Sequence, residues 1–337
     1  MYKHFVVALT VVAVACSQDT SEPAADKSSS HAKTSANAKA GVKTGSGTVS
    51  EKEESEAETM PASAASIFPD VSWPKAPEGL ATEKITEAPT FHVTRPDDLD
   101  ALAKPMPAVV WANGGCLRSD FTWTPLFNHW AEAGFIVLSL TGTGGDDDLL
   151  AMLDFTSNIQ HKQLIDWVIA QNEEGPYAGK IDVDKIVVAG NSCGGVTALE
   201  VASQDDRLAA VFVLSGSSAV GSVDKAIMEK INVPVGYIVG GSEDVAGANA
   251  KGDYEAMQEG LPAMIVHRRV GDHPTVSTDP MILPEDAEIS LDWMKLALYG
   301  DRKAYDDLKS EDVCDVCTPG DWTLESKNLE HLVKTKK

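Results

Sequence analysis

The sequence is short of basic residues. Its 337 residues include 28 Lys and Arg against 51 Asp and Glu, which gives a formal net charge of −23. Residues 67–337 carry 43 of the acids and 22 of the bases, so the excess negative charge belongs to the predicted folded part. A strongly acidic surface repels phosphate backbones and anionic lipid headgroups. We therefore expect no nucleic-acid partner and no docking of the folded part on an anionic membrane.

The N-terminal apolar run is too short to span a membrane. Residues 5–15 form a run of eleven residues, whereas a spanning helix needs about 20. The run follows Lys3 and ends in small residues, a pattern typical of an export signal. We predict a signal peptide over residues 1–15 that is removed on export.

Cys16 directly follows this signal. The sequence A-V-A-C at residues 13–16 resembles a bacterial lipobox, in which cleavage exposes the cysteine and its sulfur carries lipid. The same residues fit the A-x-A rule of ordinary signal peptidase, which would release a soluble protein. We predict lipidation of Cys16 and a location in the bacterial cell envelope, as an outer-membrane or cell-surface lipoprotein. A periplasmic or secreted protein is the alternative.

Aromatic residues are absent from residues 17–65, which consist mainly of Ser, Ala, Thr, Lys, Glu and Gly. Such a segment cannot bury enough apolar surface to offset its ordering entropy. We predict a disordered, lipid-anchored tether over residues 16–66. Residues 67–337 then form one domain, which is long enough for a single core.

This domain alternates short apolar runs with helical periodicity after an irregular, proline-rich opening segment. Runs that predict strands occupy residues 108–112, 135–140, 185–190, 209–214, 233–240 and 263–270. Helical patterns occupy residues 121–133, 157–172, 194–203 and 285–298. This alternation predicts an α/β fold with a mostly parallel central sheet and helices on both faces.

The sequence G-N-S-C-G at residues 190–194 lies between a predicted strand and a predicted helix. A sharp strand-to-helix turn strains the central residue and requires small neighbours two positions away, as in the G-x-S-x-G nucleophile elbow. We therefore predict that Ser192 is a nucleophile. Cys193 is a rival, because a thiol at a helix N-terminus ionises easily, but centring the motif on it places Asn191 where glycine is needed. Cys193 fits better as a backbone N–H donor to an oxyanion.

A serine nucleophile needs a base and an acid, which in folds with this elbow follow it in the order acid, histidine. His273 comes just after the last predicted strand and is our predicted base. Asp244 follows the strand at residues 233–240 and is our predicted acid, with Glu243 as the alternative. The second oxyanion donor is expected in the glycine-rich loop N-G-G-C at residues 113–116, and we choose Gly115.

Four cysteines remain beyond Cys16. Cys116 and Cys193 belong to the two oxyanion loops, which must meet, so a disulfide between them is geometrically feasible. Cys314 and Cys317 form a C-x-x-C sequence. In an exported protein we expect both pairs to oxidise, although four cysteines allow three connectivities.

Four segments resemble the cutinase-like polyesterases and dienelactone-hydrolase-like members of the α/β-hydrolases. They are FTWTPLFNHWAEAGFIVLSLTG (121–142), KIDVDKIVVAGNSCGG (180–195), VPVGYIVGGSEDVAG (233–247) and LDWMKLALYGDRKAYDDL (291–308). The resemblance implies hydrolysis of carboxylic esters without cofactor or metal, by a triad at Ser192, Asp244 and His273. The chain departs from that family at Cys193, at residues 113–116, and at residues 215–218, where the family tends to have a substrate-stacking tryptophan.

We therefore expect a monomeric serine esterase that acts on lipid, short-chain or polymeric esters. Only 18 residues (215–232) separate the predicted strands at 209–214 and 233–240, where many lipases carry a cap, which predicts an α/β-hydrolase fold without a cap domain. The alternatives are a peptidase or acyltransferase that uses the same triad, and a non-catalytic surface lipoprotein.

Overall fold

The computed structural model describes residues 76–142, 156–273, 283–310 and 313–333. The predicted signal peptide (1–15), Cys16 and the predicted tether (16–66) lie outside the described residues, as do the first residues of the predicted domain. No helix in the described ranges is long and apolar enough to cross a membrane.

Nine strands in the described ranges form a single sheet. They are β1 (Leu80–Ile85), β2 (Phe91–Pro96), β3 (Met106–Ala112), β4 (Ile136–Leu140), β5 (Ile181–Asn191), β6 (Ala210–Leu214), β7 (Val235–Val239), β8 (Ala263–Arg268) and β9 (Trp322–Lys327). Their order across the sheet is β1-β2-β4-β3-β5-β6-β7-β8-β9. The six strands from β4 to β8 pair in parallel, whereas β1, β2 and β9 pair antiparallel at the edges.

Helices cover both faces of this sheet. They are α1 (Thr124–Glu132), α2 (Asn158–Glu173), α3 (Cys193–Ala202), α4 (Lys225–Met228), α5 (Gly247–Ala256), α6 (Leu283–Tyr299) and α7 (Arg302–Asp307). The core divides accordingly into two layers. Val109 and Trp111 of β3 pack in the layer that includes α1 and α6, while Val110 packs in the layer that includes α2 and α3. Successive side chains of a strand point to opposite faces, which explains why β3 is apolar throughout.

The predicted α/β fold with a mostly parallel sheet is confirmed, but the expectation of an irregular opening segment was wrong. Strands β1 and β2 form an antiparallel hairpin within that segment, and β2 pairs with β4. Strand β1, with the sequence LATEKI, is half-exposed at the edge and carries polar side chains. This edge strand has no continuous apolar run because other elements cover its two faces only partly, which leaves most of its side chains partly exposed.

The carboxyl ends of the parallel strands lie at one edge of the sheet. Chain segments that leave β5, β6, β7 and β8 at this edge include Ser192, residues 215–218, Asp244 and His273 in that order. Between β6 and β7, residues 215–234 contain only the four-residue helix α4.

Asp286 in α6 is fully buried, and neither of its carboxyl oxygens has a hydrogen-bond partner in the described ranges. Burial, with a further contribution from Glu285, raises the pKa of Asp286 well above its usual value, and Arg268 only partly opposes this. The folded protein therefore binds this proton more tightly than the unfolded chain does. The stability that this tighter proton binding contributes is fully present below the ordinary aspartate pKa. It is lost as pH rises from there towards the raised pKa of Asp286.

We predict that Asp286→Asn gains stability relative to the wild type as pH rises above about 4, by up to about 1.4 kcal/mol per pH unit. Urea unfolding at several pH values would measure the difference. Ser290→Ala is the control, because it changes a buried polar residue of the same helix that does not titrate in this range. A stability difference for Asp286→Asn that stays constant with pH would contradict the prediction.

Candidate active site

Strand β5 passes directly into helix α3 through Ser192. Ser192 has φ of 52° and ψ of −117°, a conformation that residues other than glycine rarely adopt. The elbow is tightly packed, since a Cβ on Gly190 would overlap the Gly194 carbonyl and one on Gly194 would overlap the Ala112 carbonyl. The two glycines are therefore sterically required, in agreement with the reasoning from the motif.

The structure brings together the three predicted triad residues. The Ser192 Oγ lies 2.9 Å from His273 Nε2, and His273 Nδ1 lies 2.8 Å from Asp244 Oδ1. Through these hydrogen bonds Ser192 can pass its proton to the imidazole, while the carboxylate orients the ring and stabilises its charged form. Asp244 is buried, whereas the alternative acid Glu243 is exposed.

Asp244 is held ionised by its surroundings. Burial acts to raise the pKa of its carboxyl, but hydrogen bonds from His273 and from the backbone N–H groups of Gly240 and Ala246 outweigh it, so the pKa lies below its usual value. The Gly240 N–H donates to Oδ2 at 2.7 Å and the Ala246 N–H donates to Oδ1 at 2.9 Å. A buried carboxylate with this many donors keeps its charge and its orientation.

The other described histidines lie in different surroundings. His92 pairs with Asp120 at 2.9 Å, His129 lies 3.4 Å from Glu288, and the buried His161 lies 3.1 Å from the Val110 carbonyl. Burial lowers the pKa of His161 to about 4, despite backbone hydrogen bonds that favour its charged form. Among the described histidines, His273 alone forms a hydrogen bond with Ser192.

The loop after β3 lies against the elbow. It forms a 3-10 turn over Gly114–Cys116, in which Gly115 has φ of 66°. A Cβ on Gly114 would overlap Asn191 Oδ1 and lie 3.7 Å from Ser192 Cβ. Cys193 is the first residue of α3, where backbone N–H groups at the positive end of the helix dipole attract negative charge. The two predicted oxyanion donors, Gly115 and Cys193, thus lie on adjoining segments.

The cysteines form two disulfide pairs among the three connectivities that the sequence allowed. Cys116 pairs with Cys193 and Cys314 pairs with Cys317, each with a Cα–Cα distance of 5.1 Å. That separation is typical of disulfides. The first pair joins the loop after β3 to the residue that follows Ser192.

Ser215 is a site residue that the sequence reasoning missed. Its hydroxyl donates to Asp244 Oδ2 at 2.9 Å, and the residue is completely buried. By sequence, residues 215–218 stand out only as a departure from the family pattern. The sequence does contain a signal for Ser215: this serine directly follows the predicted strand at residues 209–214, and the next strand along the chain leads to the predicted acid, Asp244.

No protein-family model matches this chain, and no curated protein matches it. Within the described residues, no group of three or more His, Cys, Asp or Glu side chains is arranged to hold a metal ion.

We predict that the two disulfides contribute unequally to stability. Cys116 and Cys193 are separated by 77 positions, and Cys314 and Cys317 by 3. Because closing a longer loop removes more entropy from the unfolded chain, replacing the first pair by alanine should cost about 4 kcal/mol and replacing the second about 2 kcal/mol. Urea unfolding of the two double variants measures this, each serving as the other's control. An equal or larger loss for the second pair would contradict the prediction.

Proposed function

We propose that this chain is a serine hydrolase that cleaves carboxylic esters. The observation that carries the proposal is the chain of hydrogen bonds from Ser192 through His273 to the buried Asp244, built at a strained strand-to-helix turn. A hydroxyl, an imidazole and a carboxylate in this order form the constellation that activates serine for acyl transfer.

The fold that we propose is that of the α/β-hydrolases, without a cap domain. Support comes from the mostly parallel sheet with an antiparallel start, from the elbow between β5 and α3, and from the chain order Ser192, Asp244, His273. The short helix α4 between β6 and β7 supports the absence of a cap. An uncovered site suits bulky or polymeric esters, including lipids and polyesters, as well as short-chain ones.

The proposed reaction has two acyl-transfer steps. His273 Nε2 takes the proton of Ser192 as Oγ attacks the ester carbonyl, and the tetrahedral oxyanion accepts hydrogen bonds from the N–H groups of Cys193 and Gly115. The imidazolium then protonates the departing alcohol, which leaves an acyl-enzyme. The same imidazole then deprotonates a water molecule, which attacks the acyl group. The imidazolium returns this proton to Ser192 Oγ as the carboxylic acid product is released.

The disulfide between Cys116 and Cys193 supports this assignment of the oxyanion donors. It ties the segment of one proposed donor to the residue that supplies the other, which limits how far the two N–H groups can move apart. Preorganised donors stabilise a developing charge without a cost of reorientation.

We predict that Ser192→Ala lowers kcat/KM for p-nitrophenyl esters by at least about 10³-fold, because the nucleophile is lost. The same substitution should abolish labelling by a fluorophosphonate probe. Ser203→Ala is the matched control, since its hydroxyl bonds the Glu200 carbonyl at the far end of α3 and should leave both signals intact. Full ester hydrolysis by Ser192→Ala would refute the proposal. Hydrolysis of amides in preference to esters by the wild-type protein would favour a peptidase.

We also propose that the protein is exported and anchored to a bacterial membrane by lipid on Cys16. The support is the sequence of residues 1–16 and the long stretch without aromatic residues that follows it. Such a tether would carry the domain away from the membrane surface.

We predict that the mature N-terminus is a lipidated Cys16, which mass spectrometry of the purified full-length protein would identify. Cys16→Ala should move the protein from the membrane to the soluble fraction, because the site of attachment is lost. Ser17→Ala is the control and should remain with the membrane. An unmodified Cys16 would favour the soluble alternative.

A further inference from the structure

We propose that Ser215 is a positioning residue that holds the catalytic carboxylate of Asp244 in place. The inference deepens the proposed function and rests on it, since it concerns the acid of the same triad. Ser215 follows β6, which lies between β5, the strand of the nucleophile elbow, and β7, the strand that leads to Asp244.

The backbone around Ser215 connects the elbow to the loop of the acid. The preceding residue, Leu214, accepts hydrogen bonds at 2.9 Å from the Ser192 N–H and the Asn191 side chain. The Ser215 N–H donates to the Ile238 carbonyl of β7 at 2.7 Å. Ser215 is thus fixed to the strands on both sides before its side chain makes any contact.

The two oxygens of Asp244 are then oriented separately. Oδ1 accepts from His273 and the Ala246 N–H, whereas Oδ2 accepts from the Ser215 hydroxyl at 2.9 Å and the Gly240 N–H at 2.7 Å. Ser215 and Asp244 are both buried, so bulk water is excluded from replacing a lost donor. Without the Ser215 hydroxyl, one side-chain restraint on the carboxylate plane is lost.

The backbone of Ser215 is strained. Its φ is 45°, in the left-handed region that glycine adopts with less steric strain than serine. Strained residues other than glycine persist only where the surrounding structure holds them, and they cluster at active sites. Glycine at this position would relieve the strain that alanine would keep, so Ser215→Gly should be more stable than Ser215→Ala although both variants lack the hydroxyl.

The test compares Ser215→Ala and Ser215→Gly with Ser217→Ala. Ser217 is a matched control, because it lies in the same segment and its hydroxyl donates to the Ala219 carbonyl. The measurements are kcat and KM for p-nitrophenyl acetate across pH, the fraction of reactive sites by fluorophosphonate titration, and thermal unfolding. Rates are expressed per titrated site, so that misfolded protein does not count.

We expect both Ser215 variants to lose kcat by about tenfold or more with KM changed by less than about twofold, although Ser215→Gly unfolds at a higher temperature than Ser215→Ala. The low-pH limb of kcat/KM should move to higher pH, because the Asp244 carboxylate takes up a proton more readily with one donor fewer. The titratable groups that line the pocket beside Asp244, which are Lys251, His267 and Arg268, are not substituted in any variant.

Full activity in either Ser215 variant, or a low-pH limb that does not move, would overturn the inference. A loss in Ser215→Ala that Ser215→Gly restores would also overturn it, since the hydroxyl would then be dispensable. Ser192→Ala separates the two proposals. If it loses activity while Ser215→Ala does not, only the positioning role fails, whereas an active Ser192→Ala refutes the proposed function itself.

Discussion

Ser192 adopts a φ of 52° because β5 runs directly into α3 with no intervening loop. The rest of the site depends on this turn. It presents the hydroxyl at the carboxyl edge of the sheet and puts Cys193 at the start of the helix. The close contact of Gly194 with the Ala112 carbonyl at the end of β3 brings the glycine-rich loop beside Ser192. A larger residue at Gly190 or Gly194 would push the turn at Ser192 away from the end of β3.

A second requirement is the buried charge of Asp244. A carboxylate removed from water is costly unless donors replace the lost solvation. Here the imidazole, two backbone N–H groups and the Ser215 hydroxyl together satisfy both oxygens. These donors lie in the segments that follow three neighbouring strands: Ser215 follows β6, Gly240 and Ala246 follow β7, and His273 follows β8. The order of β6, β7 and β8 therefore determines both the ionisation of the acid and the direction in which it orients His273.

Most of the central sheet could be predicted, because its strands are short apolar runs between helical patterns. The capping box of α2, in which Ser157 and Gln160 exchange hydrogen bonds, is equally local. Strands β1, β2 and β9 were not predicted. Strands β1 and β9 lie at the edges of the sheet, have only one buried residue each and carry charged side chains. Helix α5 was also missed, since it contains two glycines and is stabilised by packing of Ala250 and Tyr254 against the sheet.

The sequence by itself determined the elements whose signals are local: the elbow with its two glycines, the apolar strands, and the candidate residues that follow those strands. The tertiary structure alone decided which candidates meet. It placed Asp244 rather than the exposed Glu243 against His273, and it paired Cys116 with Cys193 across 77 positions. It also brought Ser215 to a carboxylate 29 positions away. Such contacts depend on the order and direction of strands in the sheet, and no local pattern of side chains encodes that order.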